Sequence, residues 1–271
     1  MSEASRSWPI GKTYDGGVHP LTAEAFRAYA AATDDPSAAY GPVGPPMFHV
    51  RPFIKMMLAM AGDDALDIDM LRLVHGEHDV RFHGAFVDGT ALHVTGELLS
   101  VDQKASGRVY AFALYGDVDG ERVVEGRTAY FVRAASPPPR KGPRPTPPEL
   151  PVPTWTVEQP VSVDQATRYA EASGDDNPIH TDEGVARKAG LPGVILHGLC
   201  TMAFAARDLL AHYAPDEPVR LRRLGVRFAR PVFPGHTLTL QVWESGDGCT
   251  FQTLGPDGRP VLTGGVVEVE A

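Results

Sequence analysis

The stretch YAEASGDDNPIH, from Tyr169 to His180, has an earlier counterpart in AYAAATDDPSAA, from Ala28 to Ala39. Each is an alanine-rich segment that ends in a short acidic turn, and alanine is the strongest helix former. Self-similarity within one chain is the sequence signature of a repeated structural unit. The two stretches therefore predict two similar halves, each beginning with a helix that ends in an acidic turn.

Two further pairs of segments repeat in the same order. Residues 44–51 (GPPMFHVR) match 191–201 (LPGVILHGLCT), and each leads into an apolar helical run. Residues 78–92 (HDVRFHGAFVDGTAL) match 224–238 (LGVRFARPVFPGHTL). Each half then alternates apolar and polar residues around Gly-Asp and Asp-Gly turns, which is typical of antiparallel hairpins. We therefore predict an α+β fold in which each half curls an antiparallel sheet around one central helix.

A proline-rich segment, SPPPRKGPRPTPPELPVP at residues 136–153, separates the halves. This composition favours an extended, semi-rigid tether. A chain of 271 residues has the length of one large domain or two ordinary ones. We predict an N-terminal repeat at 1–135, a linker at 136–153 and a C-terminal repeat at 154–271.

Composition and charge exclude several classes of protein. A formal net charge of −9 disfavours binding to a polyanionic nucleic-acid backbone. No stretch approaches the roughly 20 apolar residues of a membrane span, and residues 1–12 lack the apolar core of a signal peptide. We expect no nucleic-acid partner, no membrane span and a cytoplasmic location. Cys200 and Cys249 are expected to be reduced, because a large chain without an export signal does not depend on a disulfide.

The acidic turn of the second half concentrates groups that can transfer protons. Gly174 can adopt a positive φ and Pro178 stiffens the turn. Asp175 and His180 can exchange protons near neutral pH if their surroundings separate their pKa values. The same residue types also serve as ordinary helix caps and turns.

A second feature favours the catalytic interpretation. His197 and Gly198 stand at the start of an apolar helix, where free backbone N–H groups can receive an oxyanion. Reading His180, His197 and Asp182 as metal ligands is the alternative, but no Cys/His spacing supports a metal site. We therefore expect no metal.

The second half resembles the MaoC-like, hydratase 2 family, essentially over its whole length, whereas the first half resembles it only in architecture. The resemblance implies a double hotdog fold, in which each repeat wraps an antiparallel sheet around a central helix. The matching residues are Tyr169, Ser173-Gly174-Asp175-x-Asn177-Pro178-Ile179-His180, Ala186, Ile195-Leu196-His197-Gly198-Leu199-Cys200-Thr201, Val226-Arg227-Phe228, Pro231-Val232 and Pro234-Gly235.

The resemblance also implies the activity, which is reversible addition of water across a trans-2-enoyl thioester to give the (R)-3-hydroxyacyl thioester. Asp175 and His180 would be the catalytic pair, with His180 acting on the water and Asp175 on C2. Asn177 would hold that pair, and the N–H of Gly198 would bind the thioester oxygen. No cofactor is expected, and the partner is an acyl thioester of coenzyme A or of an acyl-carrier protein.

The first half departs from this motif at residues 33–38, TDDPSA, where both the Asn before Pro and the later His are missing. We therefore predict one active site and a non-catalytic first half, which the resemblance implies holds the acyl chain. Asp34 and Asp35 are expected only to cap the helix.

Five arginines form a local positive run on this acidic chain: Arg220, Arg222, Arg223, Arg227 and Arg230. They are either solvated charges or, for some of them, ligands of the coenzyme A phosphates, to which arginine is suited. His197, Arg227 and Arg230 are the predicted substrate-binding residues.

Two other functions stay open from the sequence. A hotdog thioesterase would use the same helix start and one carboxylate, although the Asn-Pro-Ile-His segment disfavours it. A non-catalytic thioester-binding subunit would be expected to lack Asp175 or His180, and both are present. The sequence does not distinguish a monomer, in which the halves pair as a pseudo-dimer, from a homodimer.

Overall fold

The computed structural model describes residues 7–37, 39–136, 150–245 and 248–270. Most of the predicted proline-rich linker, residues 137–149, lies outside the described residues. The proposed domain boundaries therefore stay predictions. Within the described residues, no helix is both long and apolar enough to cross a bilayer.

The described residues of the first half form two helices and five strands, and short 3-10 turns lie at Pro46–His49 and Asp64–Leu66. Its elements are β1 (Thr13–Pro20), α1 (Ala23–Ala32), α2 (Val50–Ala61), β2 (Leu73–Phe82), β3 (Ala91–Lys104), β4 (Gly107–Val118) and β5 (Glu121–Arg133). The hairpins follow the helices as predicted, but the prediction that each half begins with a helix was wrong: β1 precedes α1 and pairs with β3 in the sheet.

The second half repeats this order with one extra short helix, and 3-10 turns lie at Pro178–His180 and Pro218–Arg220. Its elements are β6 (Trp155–Pro160), α3 (Gln165–Ser173), α4 (Glu183–Lys188), α5 (Gly198–Tyr213), β7 (Leu221–Phe228), β8 (Thr237–Ser245), β9 (Gly248–Leu254) and β10 (Pro260–Val269).

All ten strands form one antiparallel sheet in the order β1-β3-β4-β5-β2-β7-β10-β9-β8-β6. The order within one half mirrors the order within the other. The halves join where β2 pairs with β7, with Asp79 opposite Gly225. Arg223 of β7 strengthens this seam by an ion pair with Asp79, at 2.7 Å. The predicted α+β double hotdog fold is confirmed.

Each half wraps its sheet around one buried helix. Along α5 nearly every residue from Leu199 to Leu210 is buried, as expected of a helix that is apolar all round. Helix α2 approaches its sheet so closely that a Cβ on Gly96 would lie 2.5 Å from the Cε of Met60. A side chain at position 96 would therefore displace the flexible end of Met60, which shows how closely helix and sheet pack here. Cys200 and Cys249 are both free thiols, as predicted.

Candidate active site

The turn that follows α3 fixes the backbone around Asp175. Gly174 has a φ of +77°, a conformation that glycine adopts without strain. Asp175 Oδ1 then accepts the N–H of Asn177 at 3.3 Å, and Ser173 Oγ accepts the N–H of Asp175 at 3.2 Å. These local bonds hold the Asp175 carboxyl in one place.

The next residues place His180. The side chain of Asn177 accepts the N–H of Ile179 at 3.3 Å and so caps the 3-10 turn that carries His180. His180 Nδ1 lies 2.8 Å from the carbonyl oxygen of Ile195. Because a carbonyl can only accept, Nδ1 carries the proton, and Nε2 keeps a free lone pair. Asn177 thus supports both predicted catalytic residues through the backbone of their shared turn.

His197 contacts both of the predicted catalytic residues. Its Nε2 donates to the backbone carbonyl of Asp175 at 3.1 Å, and its ring stacks on His180 with centroids 3.7 Å apart. Tyr169 packs against the other side, at 5.0 Å. The Nδ1 of His197 is buried without a hydrogen-bond partner among the described residues. His197 was predicted to bind substrate, and its observed contacts are with the catalytic turn itself.

Burial moves the pKa values of these groups in opposite directions. It raises the pKa of the Asp175 carboxyl, an effect partly offset by His180. It lowers the pKa of His180, partly offset by Asp175, and it lowers that of His197 to about 2. Burial therefore favours the neutral form of each group, which brings the pKa values of Asp175 and His180 closer together.

Gly198 is the first residue of α5, and no side chain caps this end of the helix. The N–H groups of Cys200 and Thr201 are bonded to the carbonyl of His197, so the N–H of Gly198 stands at the very start of the helix dipole. A Cβ on Gly198 would lie 3.0 Å from the ring of Phe228. The helix start and this ring therefore form a tight wall beside the catalytic turn.

Two residues of the first half also lie against this site, and the sequence analysis did not predict either of them. Arg51 of α2 donates to the carbonyl oxygen of Ala172, in the last turn of α3, at 2.5 Å. Tyr130 of β5 is buried near Asp175, whose charge contributes to the raised pKa of the phenol. No local pattern marks these residues, since they meet the site only through the pairing of the two halves.

The predicted arginines lie apart from this cluster. Arg227 is exposed and forms an ion pair with Glu77 at 3.0 Å, and Arg230 donates to the carbonyl of Pro260 at 2.9 Å. The other three arginines of the run are also paired with carboxylates: Arg220 with Glu217, Arg222 with Glu270, and Arg223 with Asp79 and Glu268. Their role in binding coenzyme A stays a prediction.

A nitrogen or oxygen atom from each of Asp175, His180 and His197 lies within 4.8 Å of the others, so this group is a possible metal-ligand set. One nitrogen of each ring is already bonded to a backbone carbonyl, His180 Nδ1 to Ile195 and His197 Nε2 to Asp175. Asp182, considered above as a ligand, instead accepts the N–H of Val185 at 2.9 Å and caps α4. In the structure, Asp175 and not Asp182 joins His180 and His197 as a possible metal ligand.

The aspartates of the first half cap the end of α1 through their backbone N–H groups, which donate to the carbonyls of Ala31 and Ala30 at 3.3 and 2.9 Å. Asp34 forms an ion pair with Arg168 of the second half at 3.0 Å. Asp35 accepts the hydroxyl proton of Tyr40 at 2.9 Å. The expected capping role is confirmed for the backbone, but it is not the only role of these residues, because both side chains also bind groups elsewhere.

Comparison with known families assigns the two halves separately. Residues 149–258 match the MaoC like domain, and residues 9–126 match the FAS1-like, dehydratase domain region.

Relatives of known name extend over most of the chain. The chain is 35% identical over 213 residues to the 3-hydroxyacyl-thioester dehydratase Y of Mycobacterium tuberculosis, covering 73% of each. It is 32% identical over 244 residues to the peroxisomal multifunctional enzyme type 2 of Drosophila melanogaster, covering 83% of this chain but only 40% of that longer enzyme. A MaoC-like dehydratase from Phytophthora capsici shares the fold, with a TM-score of 0.82 at 21% identity over 99% of this chain and 98% of that one.

Proposed function

Because the chain belongs to the MaoC-like dehydratase family, we propose that it catalyses the reversible hydration of trans-2-enoyl-CoA thioesters to (R)-3-hydroxyacyl-CoA thioesters. One observation carries the proposal: a carboxyl, Asp175, and an imidazole, His180, have polar side-chain atoms within 4.8 Å of each other beside the start of a buried helix. Such a pair supplies an acid and a base at one pH.

We assign the two proton transfers to the free Nε2 of His180 and to the carboxyl of Asp175. His180 Nε2 takes a proton from water as the water oxygen bonds to C3 of the enoyl group. The Asp175 carboxyl gives its proton to C2. The imidazolium and carboxylate that result return to their starting forms when a proton passes from His180 to Asp175, directly or through solvent. Each such group typically contributes about 10²–10⁴-fold in rate.

The helix start completes the chemistry. As water adds at C3, negative charge moves through C2 to the thioester oxygen, which becomes an enolate oxygen. We assign the N–H of Gly198 and the positive end of the α5 dipole to receive this charge, because α5 begins at Gly198 without a side-chain cap. Loss of one well-aimed donor of this kind typically costs about 3–4 kcal/mol of transition-state stabilisation.

A single chain is proposed to suffice for activity. The catalytic turn, the helix start and the residues that close the site from the first half all belong to one molecule, and β2 and β7 already complete the sheet between the halves. Arg227 and Arg230 are proposed to add weak contacts to the coenzyme A phosphates.

Loss of the enoyl-thioester absorbance tests the function. Trans-2-enoyl-CoA esters of short, medium and long chain would be given to the wild type, to Asp175→Asn and to Asp176→Asn, a control at the exposed neighbouring position. We expect an (R)-3-hydroxyacyl product from the wild type and the control and almost none from Asp175→Asn. Release of free thiol instead would establish a thioesterase and overturn the proposal.

A further inference from the structure

The end of α1 repeats the backbone of the end of α3. Asp34 has a φ of +50° where Gly174 has +77°. In each case an aspartate follows and its Oδ1 accepts the N–H two residues on: Asp35 from Ser37 at 3.2 Å and Asp175 from Asn177 at 3.3 Å. The structural counterpart of Asp175 is therefore Asp35, and not Asp34 as the alignment of the repeats suggests.

Tyr40 stands where the catalytic turn has His180, five residues after the aspartate in both cases. Its hydroxyl donates to Asp35 Oδ2 at 2.9 Å. Burial raises the pKa of Asp35, as it does for Asp175, and burial together with Asp35 raises that of Tyr40. This pair contains no imidazole, so it does not repeat the acid–base pair proposed for Asp175 and His180.

A cleft of about 170 Å³ opens at this turn, between the first half and the far end of α5. Its walls include Asp35, Tyr40, Leu210, Ala211, Ala214 and Asp216. The cleft therefore has an apolar side, made by α5, and a side that carries carboxyl groups. An engineered apolar cavity of about 150 Å³ binds benzene, so this volume suits a ligand of about six non-hydrogen atoms.

The charges around the cleft leave it negative. Of the described residues that line it, Arg207 alone is basic. The guanidinium of Arg207 is already bound to Asp208, at 2.7 and 3.1 Å, and donates to the backbone carbonyls of Thr33 and Asp34. The carboxyl groups of Asp35 and Asp216 each have one recorded side-chain hydroxyl donor, Tyr40 and Ser37, and a carboxylate oxygen accepts more than one hydrogen bond.

We propose that this cleft is a binding site for a small organic ammonium ion with a short aliphatic body. The ammonium group donates to Asp35 and Asp216, and the aliphatic part packs on Leu210 and Ala214. A bound cation would also favour the charged form of Asp35, which burial otherwise disfavours. This site is separate from the proposed hydration chemistry and does not depend on it.

Calorimetric titration with n-butylammonium tests the site, with n-butanol and n-butyrate as probes of similar shape and different charge. We expect saturable binding of n-butylammonium, at least tenfold weaker binding of n-butanol, and none of n-butyrate, because hydrogen bonds to a charged group are about twice as strong as neutral ones. Asp35→Asn should weaken n-butylammonium binding about tenfold. The enoyl-CoA hydration rate of this variant should stay unchanged.

Ala211→Phe provides a second variant that leaves the buried turn intact. Ala211 is exposed on α5 and lines the cleft, so a phenyl ring there fills the space without disturbing the core. It should abolish binding, whereas Asp176→Asn, beside the catalytic turn, should leave it unchanged. Equal binding of butylammonium and butanol, no binding of either, or binding that survives Ala211→Phe would overturn the proposal.

Discussion

The turns that end α1 and α3 have the same backbone and different chemistry. Both use a residue of positive φ, an aspartate and a hydrogen bond back from the residue two positions on. The second turn then brings an imidazole to its aspartate, and the first brings a phenol. The repeated fold thus places a partly buried carboxyl at the same point in each half, at Asp35 and at Asp175. The side chain five residues later, a phenol or an imidazole, determines which proton transfers are open to that carboxyl.

Substitution of the two aspartates is the strongest test of this comparison. Asp175→Asn should lower kcat/KM for an enoyl-CoA ester by at least about 10²-fold, because the amide cannot give a proton to C2. Asp35→Asn should change it less than about twofold, although both carboxyls are buried. Steady-state hydration kinetics and thermal unfolding of both variants provide the measurement. A comparable loss in folded Asp35→Asn would mean that the first half shares in catalysis.

The two buried helices also start differently, with Gly198 in α5 and Val50 in α2. Gly198→Ala places a Cβ 3.0 Å from the Phe228 ring, so the helix start or the ring must shift by a few tenths of an ångström. Since a displacement of 1 Å at an active site can cost about 10²-fold, we expect about a tenfold loss in kcat. The double variant with Phe228→Leu should recover most of it. Failure of that rescue would show that the Gly198 backbone, and not the ring contact, is the sensitive element.

Buried histidines give the first half a pH-dependent stability. Burial lowers the pKa of His49 and of His75 to about 4, from an ordinary value near 6.5, and lowers that of His78 as well. The unfolded chain therefore binds more protons than the folded one between about pH 6.5 and 4, so stability falls as the pH falls through this window. His78→Leu installs the residue that the second half has at Leu224 and should flatten this dependence. Urea unfolding at several pH values would measure it, and an unchanged slope would contradict the assignment.

The smallest expected effect concerns the arginines. Arg230→Gln should raise the KM for an enoyl-CoA ester a few-fold. Arg227→Gln should raise it less, because Arg227 already pairs with Glu77 across the two halves and an exposed pair contributes only about 0–1 kcal/mol. The matching pantetheine thioester, which lacks the nucleotide phosphates, serves as the control substrate. Equal changes in KM with both substrates would show that these arginines do not contact the coenzyme A phosphates.

Local sequence predicted the geometry of the turn between Gly174 and His180 well, because everything that shapes this turn is close along the chain. Gly174 supplies the positive φ, Asp175 and Asn177 bond within the turn, and Pro178 begins the 3-10 segment that carries His180. In the first half, the alignment of the repeats paired Asp175 with Asp34, one residue before its structural counterpart Asp35. An Asp-Asp pair does not reveal which of the two aspartates adopts the positive φ.

Local sequence patterns predict two similar α+β halves. They also place an acid, an imidazole and a helix start without a side-chain cap in the second half. These features depend on hydrophobic period and on turn residues, which act within a few positions of one another. Three long-range features became visible only in the folded chain. Arg51 donates a hydrogen bond to α3, and most arginines of the run form ion pairs with carboxylates. Asp35 accepts a hydrogen bond from Tyr40 in a cleft beside α5. Arg51 and Ala172 are 121 positions apart. Their contact follows from the pairing of β2 with β7, and no local pattern of residues encodes such a distant approach.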